Sequence, residues 1–374
     1  MAVTVKDIVG LMNQIAPPDL AEAWDNCGLQ AGSLDWEVET VWTALDPSPE
    51  VVREACHAGV DLLVSHHPLY MSPPPSLDFE RMPGKLLKMI ADHRLSIFSA
   101  HTNFDSVAGG LNDICAQRLG LKQVRALSPA QGQNYCKLVI FLPETHEDAI
   151  LKALEGTSAG TFGDYSGCSF ATRGTGRFKP SEAASPYIGR AGELAVVEEI
   201  RLETIVETRD LAEVIRVVRA AHPYETMAYD VFPLAGGPDS PHGLGRLGEL
   251  HQPMSLREFG EHARDRFGVK GVRIAGDPDL TVQTVALCSG SGSGLMSAFL
   301  AGPAEVYVSG DLKYHDGTAA RDAGRGLVDV GHFETECLAA GVLSERIRRL
   351  AEKAGLMVTV EEYCRESNPY TWIF

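Results

Sequence analysis

VDLLVSHHPLY, residues Val60–Tyr70, carries the strongest fold signal in the chain. Leu62, Leu63 and Val64 form a continuous apolar run, the pattern of a short strand buried on both faces of a parallel sheet. The run stops at Ser65, two histidines follow, and Pro68 cannot donate to a ladder. In open α/β sheets, ligand and catalytic groups collect just outside the carboxyl ends of strands, where His66 and His67 fall. While a strand continues, neighbouring side chains point to opposite faces. Where it turns, each histidine can serve a different ion of a close pair.

The pattern recurs. Leu95–Ser99 runs into AHTNFD (100–105), Glu305–Ser309 into GDLKYHD (310–316), and Leu327–Val330 into GHFETE (331–336). The four runs lead into His66, His67, His101, His315 and His332, five of the chain's twelve histidines. His332 and Glu336, four apart at a helix start, face the same way. Imidazole and carboxylate without cysteine suit Zn, Fe, Mn, Co or Ni. Solvated loop histidines would be the plainer explanation of one such run, but not of four.

VSHHPL (64–69), SAHTNFD (99–105), SGDLKYHD (309–316) and GHFETE, together with the early WDNCGLQAG (24–32), resemble the Nif-three-like family. Its members carry the name GTP cyclohydrolase 1 type 2 homolog, and the resemblance runs essentially end to end. It implies two bound divalent metals, held by His66, His67, Asp105, His332 and Glu336. If two ions bind there, Glu336 is the best bridging ligand, with His66 and Asp105 serving one ion and His67 and His332 the other. His101 and His315 are then candidates for catalytic proton transfer or for orienting the ligands. The resemblance also implies a ring-like homohexamer with its metal sites facing an inner cavity.

The 374 residues suffice for about two domains, and 44% apolar with 22% charged residues is ordinary globular composition. A formal net charge of −17 argues against a nucleic-acid or anionic-membrane surface, though a metal pair could still attract a small phosphorylated substrate. Eight cysteines without C-x-x-C spacing read as small buried apolar residues of a reducing compartment. No span approaches the length of a membrane helix, and no basic-then-apolar leader opens the chain. The expectation is a cytoplasmic protein with a small-molecule partner.

Along the chain, the spacing of Ile8, Leu11, Met12 and Ile15 predicts a helix over 5–15. Trp24–Gln30 follows no period: either it is a turn stapled by Trp24 or, by resemblance, it lies near the site. Strands at 41–45 and 60–65 flank a helix that Ser48 caps, giving a β-α-β unit. Between 133 and 235 the order β-α-β-β-α-β is a ferredoxin-like signature, bounded by glycine- and proline-rich stretches at 128–133 and 235–243. The family resemblance makes this a PII-like insert. The expected fold class is therefore an α/β metal-binding domain split in sequence, with residues 1–130 and 236–374 around an insert at 131–235.

Within the insert, Ala221–Thr226 (AHPYET) is either a plain helix exit or a motif whose His222 and Glu225 face the metal cavity and gate it. In the second half, Cys288–Gly294 (CSGSGSG) is either tight backbone packing or an anion cradle, with Ser289, Gly290 and Gly292 the candidate contacts. The apolar tail at 368–374 is expected to dock on this chain or a neighbour. The function expected is metal-dependent hydrolysis of a small, phosphorylated or nucleotide-like molecule. A regulator or scaffold with a ligand-sensing insert, and a metal-storage or delivery protein, are the alternatives.

Overall fold

A computed structural model describes residues 2–130, 135–163, 165–234, 240–371 and 373. Val5–Ile15 is a helix whose Ile8, Leu11, Met12 and Ile15 are buried, as their spacing requires. Strands β1 (Gly28–Ala31), β2 (Thr40–Ala44), β3 (Leu62–Ser65) and β4 (Ser96–Ser99) follow. Between β2 and β3, Ser48 accepts from the Val51 N–H to cap the helix Pro49–Ala58, and Gly59 closes it at φ 71°. All four residues of β3 are buried, and it pairs in parallel with β2 on one side and β4 on the other. The short strand β1, antiparallel to β4, grows out of the aperiodic Trp24–Gln30 turn and was not expected. The next strand, β5 (Lys122–Pro129), leads towards residue 131.

The chain divides into two compact units, Met1–Ala130 with Pro241–Phe374, and Gln131–Ser240. The second unit contains β6 (Tyr135–Pro143), β7 (Ser169–Phe178), β8 (Ala195–Glu207) and β9 (Tyr229–Pro233). Helices Glu147–Glu155 and Leu211–Ala221 fall after β6 and after β8. The sheet order is β7-β8-β6-β9, antiparallel throughout, and the helices pack on it through Ile150, Leu154, Val214 and Val218.

The first unit resumes with β10 (Gly243–Ser255), β11 (Arg273–Ala275), β12 (Thr281–Ser291), β13 (Val306–Gly310), β14 (Gly326–Asp329) and β15 (Thr359–Glu362). It has two sheets, β1-β4-β3-β2-β15 and β11-β14-β13-β12-β10-β5. In the second sheet β12, β13 and β14 are parallel, like β15, β2, β3 and β4 in the first. The stretch at 128–133 is not all linker: Ser128 and Pro129 belong to β5 and pair with Leu244 and Gly243 of β10. The strands that enter and leave the 131–240 segment are therefore neighbours in one sheet.

Candidate metal centre

Both sheets of the first unit deliver side chains from the carboxyl ends of their parallel strands, so the site follows from topology. His66 and His67 follow β3, His101 and Asp105 follow β4, and His332 and Glu336 open and close the short helix Gly331 leads into after β14. His66, His67 and His101 bring ring nitrogens within 4.8 Å of one another, and so do His67, His332 and the Glu336 carboxylate.

Glu336 is buried at the centre and its two oxygens divide the site. Oε2 lies 2.8 Å from His67 Nε2 and 2.7 Å from His332 Nε2. Oε1 lies 3.7 Å from His66 Nε2, which stands 3.8 Å from Asp105 Oδ1. Burial works to raise the Glu336 carboxyl, but the hydrogen bonds from His332 and His67, with the His66 imidazole close by, outweigh it and hold the group well below its ordinary range. Asp105 lies against fewer donors, and burial pushes it up.

His66 supplies the clearest test of whether these residues suit a metal. Its Nδ1 faces only the Ala100 carbonyl at 2.8 Å, so Nδ1 carries the proton. Its Nε2 is wholly buried and finds no hydrogen-bond partner among the described residues. Burial opposes charge on His66, but Asp105 and Glu336 prevail and raise its pKa, so a metal ion at Nε2 would replace a buried proton that has no hydrogen-bond acceptor. The donor set of imidazole nitrogens and carboxylate oxygens fits a borderline divalent ion.

The other imidazoles are held from behind by aspartates. His67 Nδ1 is 2.7 Å from Asp46 Oδ1, His332 Nδ1 is 2.8 Å from Asp311 Oδ2, and His101 Nδ1 is 2.8 Å from Asp25 Oδ1. A carboxylate on Nδ1 fixes the tautomer and makes Nε2 a stronger donor. Without metal, His67 and His332 are each caught between two carboxylates. For His67, burial opposes the charge, but Asp46 and Glu336 prevail and push its pKa up to about 10. The hydrogen bond to Glu336, aided by Asp311 against burial, takes His332 to about 9.

The ends of the site are tied down by groups that sequence reasoning passed over. Asp25 also accepts from the Thr102 N–H at 3.0 Å, so the Trp24–Gln30 turn serves the site through Asp25. Glu366, beyond β15, accepts from the Leu45 and Asp46 N–H groups at 2.7 Å each. The tail is thus fastened beside Asp46, and Asn368 donates to Glu334 Oε1 at 2.7 Å. Asn368 and Thr371 join His67, His332 and Asp311 in lining a cavity of about 610 Å³. On this chain Tyr370 and Ile373 are exposed, and Trp372 and Phe374 lie outside the described residues.

Two candidate contributors take other places. His315 is exposed on the first turn of the helix Tyr314–Asp322, its ring against Tyr314, and it joins neither donor group. β12 runs to Ser291, midway through the glycine-rich run, and a 3-10 turn at Gly292–Leu295 completes the run before the helix Met296–Ala301. The Ser289 N–H already donates to Asn112 Oδ1 and the Gly290 N–H to Thr335 Oγ1. These residues serve close packing instead. Ser289 Oγ donates to Asp105 at 3.0 Å, and a Cβ on Gly290 would stand 1.9 Å from Glu336 Oε1. Gly292 likewise leaves room for Ser309 and the Tyr307 hydroxyl.

The Duf34/NIF3 (NGG1p interacting factor 3) family model matches residues 3–369. The chain belongs to that family. As a Duf34/NIF3 protein it is 36% identical over 366 residues to a GTP cyclohydrolase 1 type 2 homolog of Halalkalibacterium halodurans, covering 98% of each chain. It is 35% identical over 373 residues to the homolog of that name from Bacillus subtilis, covering 100% of this chain and 99% of the relative. Among solved structures, a Bacillus cereus protein related to NIF3 superposes with a TM-score of 0.90 at 34% identity over 100% of both chains. Staphylococcus aureus protein SA1388 does so at 0.78 and 26% identity, over 100% of this chain and 99% of its own. In this Duf34/NIF3 chain, His222 and Glu225 are satisfied within their own unit: His222 Nε2 donates to the Phe141 carbonyl at 2.9 Å, and Glu225 accepts from the Ser185 N–H at 3.0 Å.

Proposed function

We propose that the chain holds two divalent metal ions and hydrolyses a small molecule with them. The observation that supports this best is Glu336, whose Oε2 meets His67 and His332 while Oε1 turns to His66. On this proposal His66 and Asp105 would hold one ion together with Glu336, and His67 and His332 would hold the other, also with Glu336. Two close divalent ions make hydroxide available near neutral pH and draw charge from the oxygen of a carbonyl or phosphoester. Asp46 and Asp311 keep the Nδ1 protons of His67 and His332 in place, so both present Nε2. His101, fixed by Asp25, stands with its ring 5.3 Å from that of His66 and is assigned to proton transfer. The adjoining cavity would receive the substrate. Hydrolytic opening of the GTP imidazole ring, which the relatives' name suggests, is one reaction of this class.

With this proposal go three others: that the 131–240 segment is a ferredoxin-like, PII-like module, that the chain assembles as a homo-oligomeric ring, and that it works in the cytoplasm. The β7-β8-β6-β9 order with two helices supports the first. No helix among the described residues is long and apolar enough to cross a membrane. The hydrolase proposal is tested by metal analysis of the purified chain with a phosphoester and nucleotide panel. Turnover lost on chelation and regained with added metal supports it. Two bound ions without turnover on any substrate would overturn it in favour of storage or a structural role.

A further inference from the structure

The AHPYET motif plays no part in the metal centre, yet it builds something of its own. His222 is buried and both ring nitrogens are engaged, Nε2 donating to Phe141 O and Nδ1 accepting from the Tyr224 N–H at 3.1 Å. The histidine therefore acts as a fixed support for the turn. From it Tyr224 projects with its ring 6.1 Å from Phe178 and 6.2 Å from Tyr187, and its hydroxyl donates to Glu199 Oε1 at 2.9 Å. Glu225 pins the segment carrying Tyr187 through Ser185 N–H, and the His146 ring packs edge-on against Tyr187 at 5.5 Å. These groups frame a cavity of about 470 Å³ wholly within the 131–240 unit.

The lining has a definite polarity. Phe178, Tyr187, Tyr224 and Ile188 supply apolar and aromatic wall. Glu199 supplies a carboxylate whose Oε2 has no hydrogen-bond donor among the described residues, and only a glycine at 176 leaves it room, since a Cβ there would stand 2.0 Å away. Arg177 and Lys179 line the same cavity, exposed, and neither pairs with a carboxylate among the described residues. An aliphatic occupant would bury the Glu199 oxygen without a partner, and an anionic group at that end would be repelled. A flat ring with an N–H edge satisfies both the carboxylate and the aromatic walls. Two unpaired cations at the rim suit phosphate. The volume lies in the range of small-ligand sites.

We propose that this cavity is a nucleotide-binding site distinct from the metal centre, taking the N–H edge of a base on Glu199, its ring on Tyr224 and Phe178, and its phosphates on Arg177 and Lys179. The proposal does not depend on the hydrolase proposal, and its test is arranged to keep the two apart. Full-length chain carrying Glu336→Ala and stripped of metal is titrated calorimetrically with GTP and ATP, so that phosphates have no metal centre to bind. At least one of the two nucleotides should bind saturably, one per chain. Glu199→Ala and Tyr224→Ala should each weaken that binding by at least ~10-fold, whereas Tyr224→Phe, which keeps the ring, should stay within ~3-fold. Arg177→Ala with Lys179→Ala, on the exposed rim where folding is not at risk, should weaken the triphosphate more than the free nucleoside. Absence of binding by both nucleotides, or binding indifferent to the rim pair and to Glu199→Ala, overturns the proposal.

Discussion

Glu336 meets three imidazoles through two oxygens, so losing it differs in kind from losing a histidine. Glu336→Ala should empty both metal positions after dialysis, His67→Ala should retain close to one ion per chain, and Glu334→Ala, whose carboxylate faces Asn368, should keep both. Elemental analysis of the three variants checks this, and loss of metal from Glu334→Ala alone would refute the ligand assignment. Protons report on the same residues. Folded, metal-free His67 and His332 have pKa values raised to about 10 and about 9, so at pH 7.5 both hold protons that a metal must displace. Metal binding should therefore release ~2 protons at that position and tighten as pH rises towards 9–10. Calorimetry in buffers of different ionisation enthalpy measures the release. In the metal-free protein the sign reverses: the extra stability from these two protons is full below pH 6.5 and disappears as pH rises through 9–10. The clustered histidines were legible because each follows an apolar run. Their aspartates were not: Asp25 lies 76 residues from His101, and nothing local in Trp24–Gln30 marks it as a partner. Asp46 and Asp311 do close strands, a signal that would have found them.

At the scale of elements, parallel strands aim loops, and the tail keeps one loop aimed. Glu366 accepts two N–H groups at the end of β2, next to the aspartate that orients His67. Glu366→Ala leaves both N–H groups without that acceptor, a cost of about 1–3 kcal/mol for each that water cannot reach. It should lower thermal stability modestly and loosen metal at the His67 position more than at the His66 position, with Glu366→Gln restoring part of the loss. Dialysis followed by metal analysis distinguishes the two positions, and an equal loss from both would count against this role. Helices and buried parallel strands were readable from periodicity and caps. Strand β1, with four half-buried residues, and the pairing of β5 with β10 were not, because register across more than a hundred residues leaves no local trace.

At the scale of the whole molecule, the strands that bound the 131–240 segment pair directly, Pro129 with Gly243. The first unit's two sheets are then complete without the segment. Replacing residues 131–240 by a short glycine-containing turn should leave a folded chain that still binds metal, since every residue of the candidate centre lies outside it. A cooperative melt and retained metal are the expected outcome, and an unfolded product would show that the segment is needed for folding. The split domain could be inferred from motifs because HHP and GHFETE must meet in one site. Their meeting point, between two sheets rather than on one, could not.

His66 leans on a neutral carbonyl, whereas His67 and His332 lean on carboxylates. If two ions bind as proposed, the imidazoles of the two halves are unequal in electron supply, those backed by aspartate being the stronger bases. One equivalent of metal should yield a uniform half-filled population instead of a mixture of empty and full chains. If the proposed halves fill in that order, each could take a different element, and the composition of the centre would follow which metals the cell has to spare when the second half fills.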